Sequence, residues 1–236
     1  MNEEIAILVA AGLGQRMRPL TETTPKPLVK VHGTSMIETV LAGLNRRGVS
    51  KIYVVVGYKG EQFEYLPEKY PNIELIYNSE YTVKNNISSL YAAREKLGEG
   101  DCFICEADLY VSDPSIFDKE NVPDYSCYFG KYVEGHSDDW VLECTDGYIS
   151  RIGKYGDNTH NMVGITFLKK DDAALLGQLI EQEYAKPESA QLFWDEVVNM
   201  HLDKLKIKVN TVKAEQIVEI DSVAELAVID PSYADI

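Results

Sequence analysis

Short apolar runs alternating with helix-length segments constrain this chain more than any other feature. Residues 5–10 form an unbroken apolar run, too short for a core helix and lacking the polar alternation of a strand that faces water. They read as a strand buried on both faces. Residues 51–57, rich in valine and isoleucine, give a second such strand, 73–77 a third and 101–106 a fourth. Residues 35–48 read as a helix: Met36, Ile37, Val40, Leu41 and Leu44 recur at helical spacing, and Ser35 and Glu38 can form a capping box. Arg46 and Arg47 sit in its last turn and Gly48 closes it. A weaker, proline-interrupted helix is predicted over 61–70, and another over 86–97, with Asn86 as its cap and Gly98 after it. Strands joined through helices cross over in one hand, lie parallel and carry helices on both faces. The fold class that follows is α/β, a mainly parallel sheet flanked by helices.

The pattern changes after Pro123. Residues 125–133, 140–144, 148–152 and 163–168 look like strands joined by short turns, one of them Asp146-Gly147. Helices are then predicted over 171–184 and 190–202, strands over 206–212 and 216–220, and a last short helix behind a Ser222–Glu225 capping box. No repeat or low-complexity linker interrupts the chain. The expected organisation is one domain over 1–236, with a core of about 1–122 and 160–236 and a small β-rich lobe of about 123–159 on the substrate side.

Composition narrows the partners. A net charge of −15 repels a polyanion at long range and argues against nucleic acid. It leaves room for a nucleotide, which needs only local donors, a few cations and a metal, and it suits a small cationic substrate. No apolar run reaches the span of a membrane helix, and the start, Met1-Asn2-Glu3-Glu4, is acidic where a signal peptide would be basic. A cytoplasmic protein with no membrane partner is expected; its end leaves room for fusion to another catalytic domain. The four cysteines lie in strand-like segments, and Cys102 and Cys105, offset by three, point to opposite faces and read as free thiols. The histidines show no ligand spacing.

The residues that carry chemistry start where the first strand ends. Leu8-Val9-Ala10-Ala11-Gly12-Leu13-Gly14-Gln15-Arg16-Met17-Arg18-Pro19-Leu20-Thr21 is followed by Pro25-Lys26-Pro27-Leu28. A strand running into a glycine-containing loop brings backbone N–H groups against an anion, because glycine lacks the Cβ that would hold it off. Arg16 and Lys26 add charge, and a guanidinium can grip two phosphate oxygens. Two other phosphate loops fail here. A dinucleotide fingerprint needs a third glycine where Met17 stands, and a Walker loop needs a Gly-Lys-Ser or Gly-Lys-Thr that the chain lacks. Asp108, at the end of the fourth strand, stands over the crevice where parallel sheets bind ligands, and Mg²⁺ takes one or two carboxylates beside phosphate oxygens. Asp221, ending a late strand, is the expected second ligand; Glu106, on the same strand face as Asp108, is the weaker alternative.

The glycine run resembles the signature of the nucleotide-sugar pyrophosphorylase-like nucleotidyltransferases, G-x-G-x-R-x-x-P-x-T followed by P-K-P. Gly12, Gly14, Arg16, Pro19, Thr21, Pro25, Lys26 and Pro27 fill it. The resemblance implies a Rossmann-like fold and a loop that wraps a triphosphate, with Arg16 and Lys26 stabilising charge at the α-phosphate. Nucleotide-binding positions are then Ala10, Ala11, Gly12, Gly14, Gln15, Tyr58, Asn86 and Ser88. Within that group the chain is similar to bacterial CTP:phosphocholine cytidylyltransferases over residues 5–227. The likeness is carried also by Val56-Gly57-Tyr58, Asn85-Asn86 with Ser89-Leu90-Tyr91, Glu106-Ala107-Asp108, Trp140, Phe193-Trp194-Asp195 and Glu219-Ile220-Asp221-Ser222.

That likeness implies CTP as donor, Mg²⁺ held by Asp108 and Asp221, and a choline cation held by aromatic faces and a carboxylate. Trp140, Phe193, Trp194 and Asp195 are suitable residue types, each cation–π contact being worth roughly 0.5–2 kcal/mol, although both tryptophans read equally as core. Phe-Trp-Asp stands in place of the family's Tyr-Trp-Asp, and Lys84 stands where an uncharged or aromatic residue is expected; Lys84 could grip the acceptor's phosphate. The expectation is transfer of CMP from CTP to phosphocholine, giving CDP-choline and pyrophosphate. Phosphoethanolamine, 2-aminoethylphosphonate and a hexose 1-phosphate stay open as acceptors.

Overall fold

The computed structural model describes residues 3–234. The chain opens with β1 (Glu4–Ala10) and passes through three 3₁₀ turns and a small hairpin, β2 (Lys30–Val31) and β3 (Thr34–Ser35), into helix α1 (Met36–Arg47). β4 (Lys51–Val56), α2 (Tyr65–Lys69), β5 (Ile73–Tyr77), α3 (Ile87–Ala92), β6 (Asp101–Glu106) and β7 (Leu109–Val111) follow. Two long strands, β8 (Cys127–Thr145) and β9 (Tyr148–Leu168), lead to helices α4 (Lys170–Tyr184) and α5 (Trp194–Met200). Strands β10 (Lys208–Thr211) and β11 (Ile217–Glu219) and helix α6 (Val223–Ile229) come last.

One seven-stranded sheet runs in the order β10-β8-β9-β6-β1-β4-β5. β6, β1, β4 and β5 are parallel neighbours, and β9 joins β6 antiparallel, so the expected Rossmann-like α/β sheet is present. Burial on both faces explains why. Ala6, Leu8 and Ala10 of β1 pack in one layer with Val40, Leu41 and Leu44 of α1. Ile5, Ile7 and Val9 pack in the other with Leu90, Leu176 and Ile180. Each large apolar side chain so buried contributes about 1.5–3 kcal/mol. Cys102 and Cys105 fall in the two opposite layers, both as buried free thiols.

Topology places the site. The chain leaves β1 for β4 and β5 on one side and returns to β6 on the other. The C-terminal ends of β1 and β6 therefore flank a switch point, where the loops diverge and leave a crevice.

Some local expectations are corrected. The four strands expected after Pro123 are segments of the two continuous strands β8 and β9. Register shifts between Val133 and His136 and between Ser137 and Trp140 mark bulges across which pairing resumes. The helix expected over 86–97 ends at Ala92 and gives way to a 3₁₀ turn, with no capping bond from the Asn86 side chain. The helix expected over 190–202 starts at Trp194, after a 3₁₀ turn. Ser35 closes no reciprocal box, its hydroxyl donating instead to the Glu38 carboxylate at 2.6 Å. The Ser222–Glu225 box is complete. Among the described residues no helix is long and apolar enough to cross a membrane.

Candidate active site

A cavity of about 460 Å³ opens at the switch point. It is lined by Ala10, Ala11, Gly12, Gly14 and Gln15, by the ion-paired group Arg16, Lys26, Asp108 and Asp221, and by Lys84, Asn86 and Ser88.

The centre is tightly charge-paired. Lys26 is only 7% exposed, and its Nζ lies 2.7 Å from Asp108 Oδ2 and 2.6 Å from Asp221 Oδ1. Arg16 Nη1 lies 2.7 Å from the other oxygen of Asp221. Burial alone would depress the Lys26 ammonium, but Asp108 and Asp221 outweigh it and hold the pKa above the ordinary lysine value. Lys26 therefore stays charged.

The glycine loop is built for closeness. Gly14 has φ +60°, and a Cβ there would stand 2.9 Å from Lys26 Cβ and 3.1 Å from Thr21 Cγ2. Thr21 Oγ1 donates to the Gly14 carbonyl at 2.8 Å, and the Tyr58 hydroxyl donates to the Thr21 carbonyl at 2.8 Å. The Tyr58 N–H donates to the Ala11 carbonyl at 3.1 Å, so Tyr58 braces the loop from outside the cavity. On the Asp221 side, Glu225 Oε2 accepts the N–H groups of Asp221 and Ser222 at 2.7 and 2.9 Å. Met17 shares one apolar cluster with Ile220 and Leu226, which ties the loop to the segment carrying Asp221.

The opposite wall is polar and ordered. Asn78, at 4% exposure, donates to Ser88 Oγ at 2.8 Å and Ser89 Oγ at 3.2 Å. Asn86 accepts the Trp194 N–H at 3.0 Å and reaches Glu106 Oε1 at 3.4 Å. Lys84 Nζ sits 3.4 Å from the Tyr184 ring centroid and 3.7 Å from Glu80.

The four residues expected to hold a choline cation separate into two pairs, and none lines the cavity. Phe193, at the N-cap of α5, meets Trp140 edge-on with centroids 5.5 Å apart. Trp194 is buried and stacked on Tyr128 at 5.8 Å, its Nε1 without a hydrogen-bond partner among the described residues. Asp195 is buried beside it and accepts the Tyr128 hydroxyl at 3.1 Å; burial pushes its carboxyl up to about 7. Glu106 does line the cavity. Packing on its other sides, then the charges of Asp108, Asp195 and Glu219, hold its carboxyl well above the usual range.

Asp108 and Asp221 fit a hard divalent cation: both offer oxygen donors within reach of one nitrogen atom. Among the described residues no cluster of three or more such ligands forms an all-protein cage. Mg²⁺ needs none, since it typically takes one or two carboxylates beside waters and phosphate oxygens. Asn78 and Tyr81, not among the sequence candidates, also line the cavity. Asn78 directly follows β5, so the strand-end rule that led to Asp108 would have found it. Tyr81 packs so closely on Gly57 that a Cβ there would stand 2.8 Å from its ring, a contact with no sequence signature.

Residues 6–119 match the MobA-like NTP transferase domain. A 2-aminoethylphosphonate cytidylyltransferase of Lancefieldella rimae is 52% identical over 229 residues, covering 97% of this chain and 92% of that protein. The chain belongs to the cytidylyltransferases. The choline-phosphate cytidylyltransferase of Streptococcus pneumoniae is 35% identical over 221 residues, 93% of this chain and 94% of that one. A solved structure of the CTP:phosphocholine cytidylyltransferase from that species matches with a TM-score of 0.88 at 34% identity, covering 98% of this chain and 99% of that chain. The Gly12–Gly14 segment lines the same cavity as Lys26 and the two aspartates paired with it.

Proposed function

We propose that this cytidylyltransferase transfers CMP from CTP to 2-aminoethylphosphonate, with Mg²⁺, releasing pyrophosphate. The observation that carries the acceptor is the character of the cavity wall: Glu106 lines it, while Trp140, Phe193 and Trp194 do not. A quaternary ammonium has no N–H and is held by π faces, whereas a primary ammonium brings three donors and favours carboxylates. Glu106 lines the cavity with its carboxyl held above the usual range by burial and by Asp108, Asp195 and Glu219, so an arriving ammonium, which favours the ionised form, relieves that crowding of acids and is held in return. The 52% identity to the Lancefieldella rimae enzyme over nearly the whole chain supports the phosphonate as the acid end of that acceptor. Phosphocholine, the first expectation, is the weaker reading; the enzyme of that name is 35% identical.

An oxygen of the phosphonate attacks the α-phosphorus of CTP in line. A new P–O bond forms, the bond to the bridging oxygen of the β-phosphate breaks, and pyrophosphate leaves with that electron pair. The phosphonate is already anionic at neutral pH, so no side chain has to remove a proton. Lys26, kept charged, and Arg16 stabilise negative charge at the α-phosphate, and the loop from Ala10 to Gln15 orients the triphosphate through its N–H groups. Lys84, fixed over Tyr184, faces the phosphonate. Asp108 and Asp221 would hold the Mg²⁺, which when bound neutralises phosphate charge.

The test is pyrophosphate release from CTP with 2-aminoethylphosphonate, phosphoethanolamine, phosphocholine and glucose 1-phosphate in parallel, with and without Mg²⁺. A kcat/KM for 2-aminoethylphosphonate at least about tenfold above the others is expected, the lower end of what one extra or missing methylene-sized group commonly gives. A preference for phosphocholine would return the cation to the aromatic residues and overturn the reading.

A further inference from the structure

We infer that Lys26 is a placeholder in the Asp108–Asp221 pair, so that the enzyme takes its divalent cation together with the nucleotide and excludes the cation alone. The inference rests on the proposed reading of those two aspartates as the metal pair. Three close ion pairs carry it. The Lys26 ammonium lies 2.7 Å from Asp108 and 2.6 Å from Asp221, and Arg16 takes the remaining Asp221 oxygen at 2.7 Å. Two carboxylates thus face two cations and the cluster is formally neutral. A divalent cation arriving alone would meet a positive charge seated between its own ligands, with no new anion for that charge to move to.

Lys26 has little freedom to withdraw. It is flanked by Pro25 and Pro27 and 7% exposed, and its Cβ lies where even a methyl group on Gly14 would crowd it. Its ammonium can exchange partners only within the cavity. A triphosphate entering along the glycine loop provides those partners: its oxygens take Lys26 and Arg16, and the aspartate oxygens are released for the metal. Metal and nucleotide then favour each other's binding reciprocally, because each relieves the charge the other would leave unpaired.

Mn²⁺ is the probe, titrated without acceptor and read by the electron paramagnetic resonance of the free ion. Lys26→Met keeps an unbranched stem as far as Cε and removes the charged nitrogen; Lys26→Arg keeps the charge. Lys26→Met is expected to bind Mn²⁺ alone at least about tenfold more tightly than the wild type, as loss of a unit charge at contact distance requires. Lys26→Arg should stay as weak as the wild type. Adding Asp221→Asn to Lys26→Met should abolish the gain, which ties it to the carboxylates and not to a loosened fold. In the wild type, CTP should raise the amount of protein-bound Mn²⁺. Equal, weak binding by Lys26→Met and the wild type would overturn the inference, as would equal tightening by the Met and Arg variants. Tight Mn²⁺ binding by the wild type without CTP would do the same. Since no acceptor enters the assay, a wrong choice of acceptor leaves these outcomes unchanged.

Discussion

Replacing Gly14 with alanine tests whether the glycine loop is held by geometry or merely by composition. Two costs follow from the structure. An alanine at φ +60° sits in the left-handed region, at about 1–2 kcal/mol. Its Cβ would also stand 2.9 Å from Lys26 Cβ and 3.1 Å from Thr21 Cγ2, and Lys26 Cβ is attached directly to the main chain and cannot rotate away. Relief requires a shift of a few tenths of an ångström in the loop or in Lys26. Together these give a loss of about 2 kcal/mol or somewhat more, which for a chain of this size lowers Tm by roughly 4–8 °C. On the proposed mechanism the displaced ammonium acts on the α-phosphate, where a misplacement of about 1 Å costs roughly 100-fold, so a kcat loss of about tenfold is expected. Gly12→Ala is the control: no atom lies within 4 Å of its added Cβ and its φ is not positive. That variant should melt with the wild type and, with the triphosphate placed along the loop as proposed, raise the KM for CTP, because Gly12 lines the cavity. Calorimetric melting and steady-state pyrophosphate release on both variants decide it. A Gly14→Ala enzyme with wild-type Tm and kcat would refute the argument from contact and dihedral angle.

Two further outcomes follow from the charges. Asp108→Asn should lower kcat by at least about 100-fold while Asp221 still pairs Lys26, so the folded state survives; near-normal turnover at saturating Mg²⁺ would remove Asp108 from the machinery. Asp195→Asn should stabilise the protein at alkaline pH. Burial raises this carboxyl to about 7, so the native state holds a proton that the unfolded chain has lost from roughly pH 4 upward, and wild-type stability falls across that window. Urea denaturation at about pH 5 and about pH 8 should show the variant gaining on the wild type by on the order of 1–2 kcal/mol, and parallel behaviour would show that Asp195 does not titrate there.

What could be read from the sequence was local, and what could not be read depended on contacts between distant segments. The apolar run of β1 and the glycines after it signal strand and loop within one stretch of chain, and the structure keeps both. The Ser222–Glu225 box formed as its spacing suggests, whereas the equally well-spaced Ser35–Glu38 pair did not. Lys69 and Tyr70, brought alongside by the second helical segment, take the Glu38 carboxylate at 2.5 and 3.3 Å and leave Ser35 only a side-chain contact. The same cause governs the acceptor. Phe193-Trp194-Asp195 gives the residue types of a cation cage, but which of them can reach a ligand depends on how the first turn of α5 is set against the wall. Asn86 contributes to that setting by accepting the Trp194 N–H at 3.0 Å, and the same amide reaches Glu106 at 3.4 Å. Trp194 is then committed to Tyr128 and the core, while Glu106 lines the cavity beside Asp108 and Asp221. The contact that sets α5 against the cavity lining joins segments more than 100 residues apart, which no spacing rule along the chain can supply.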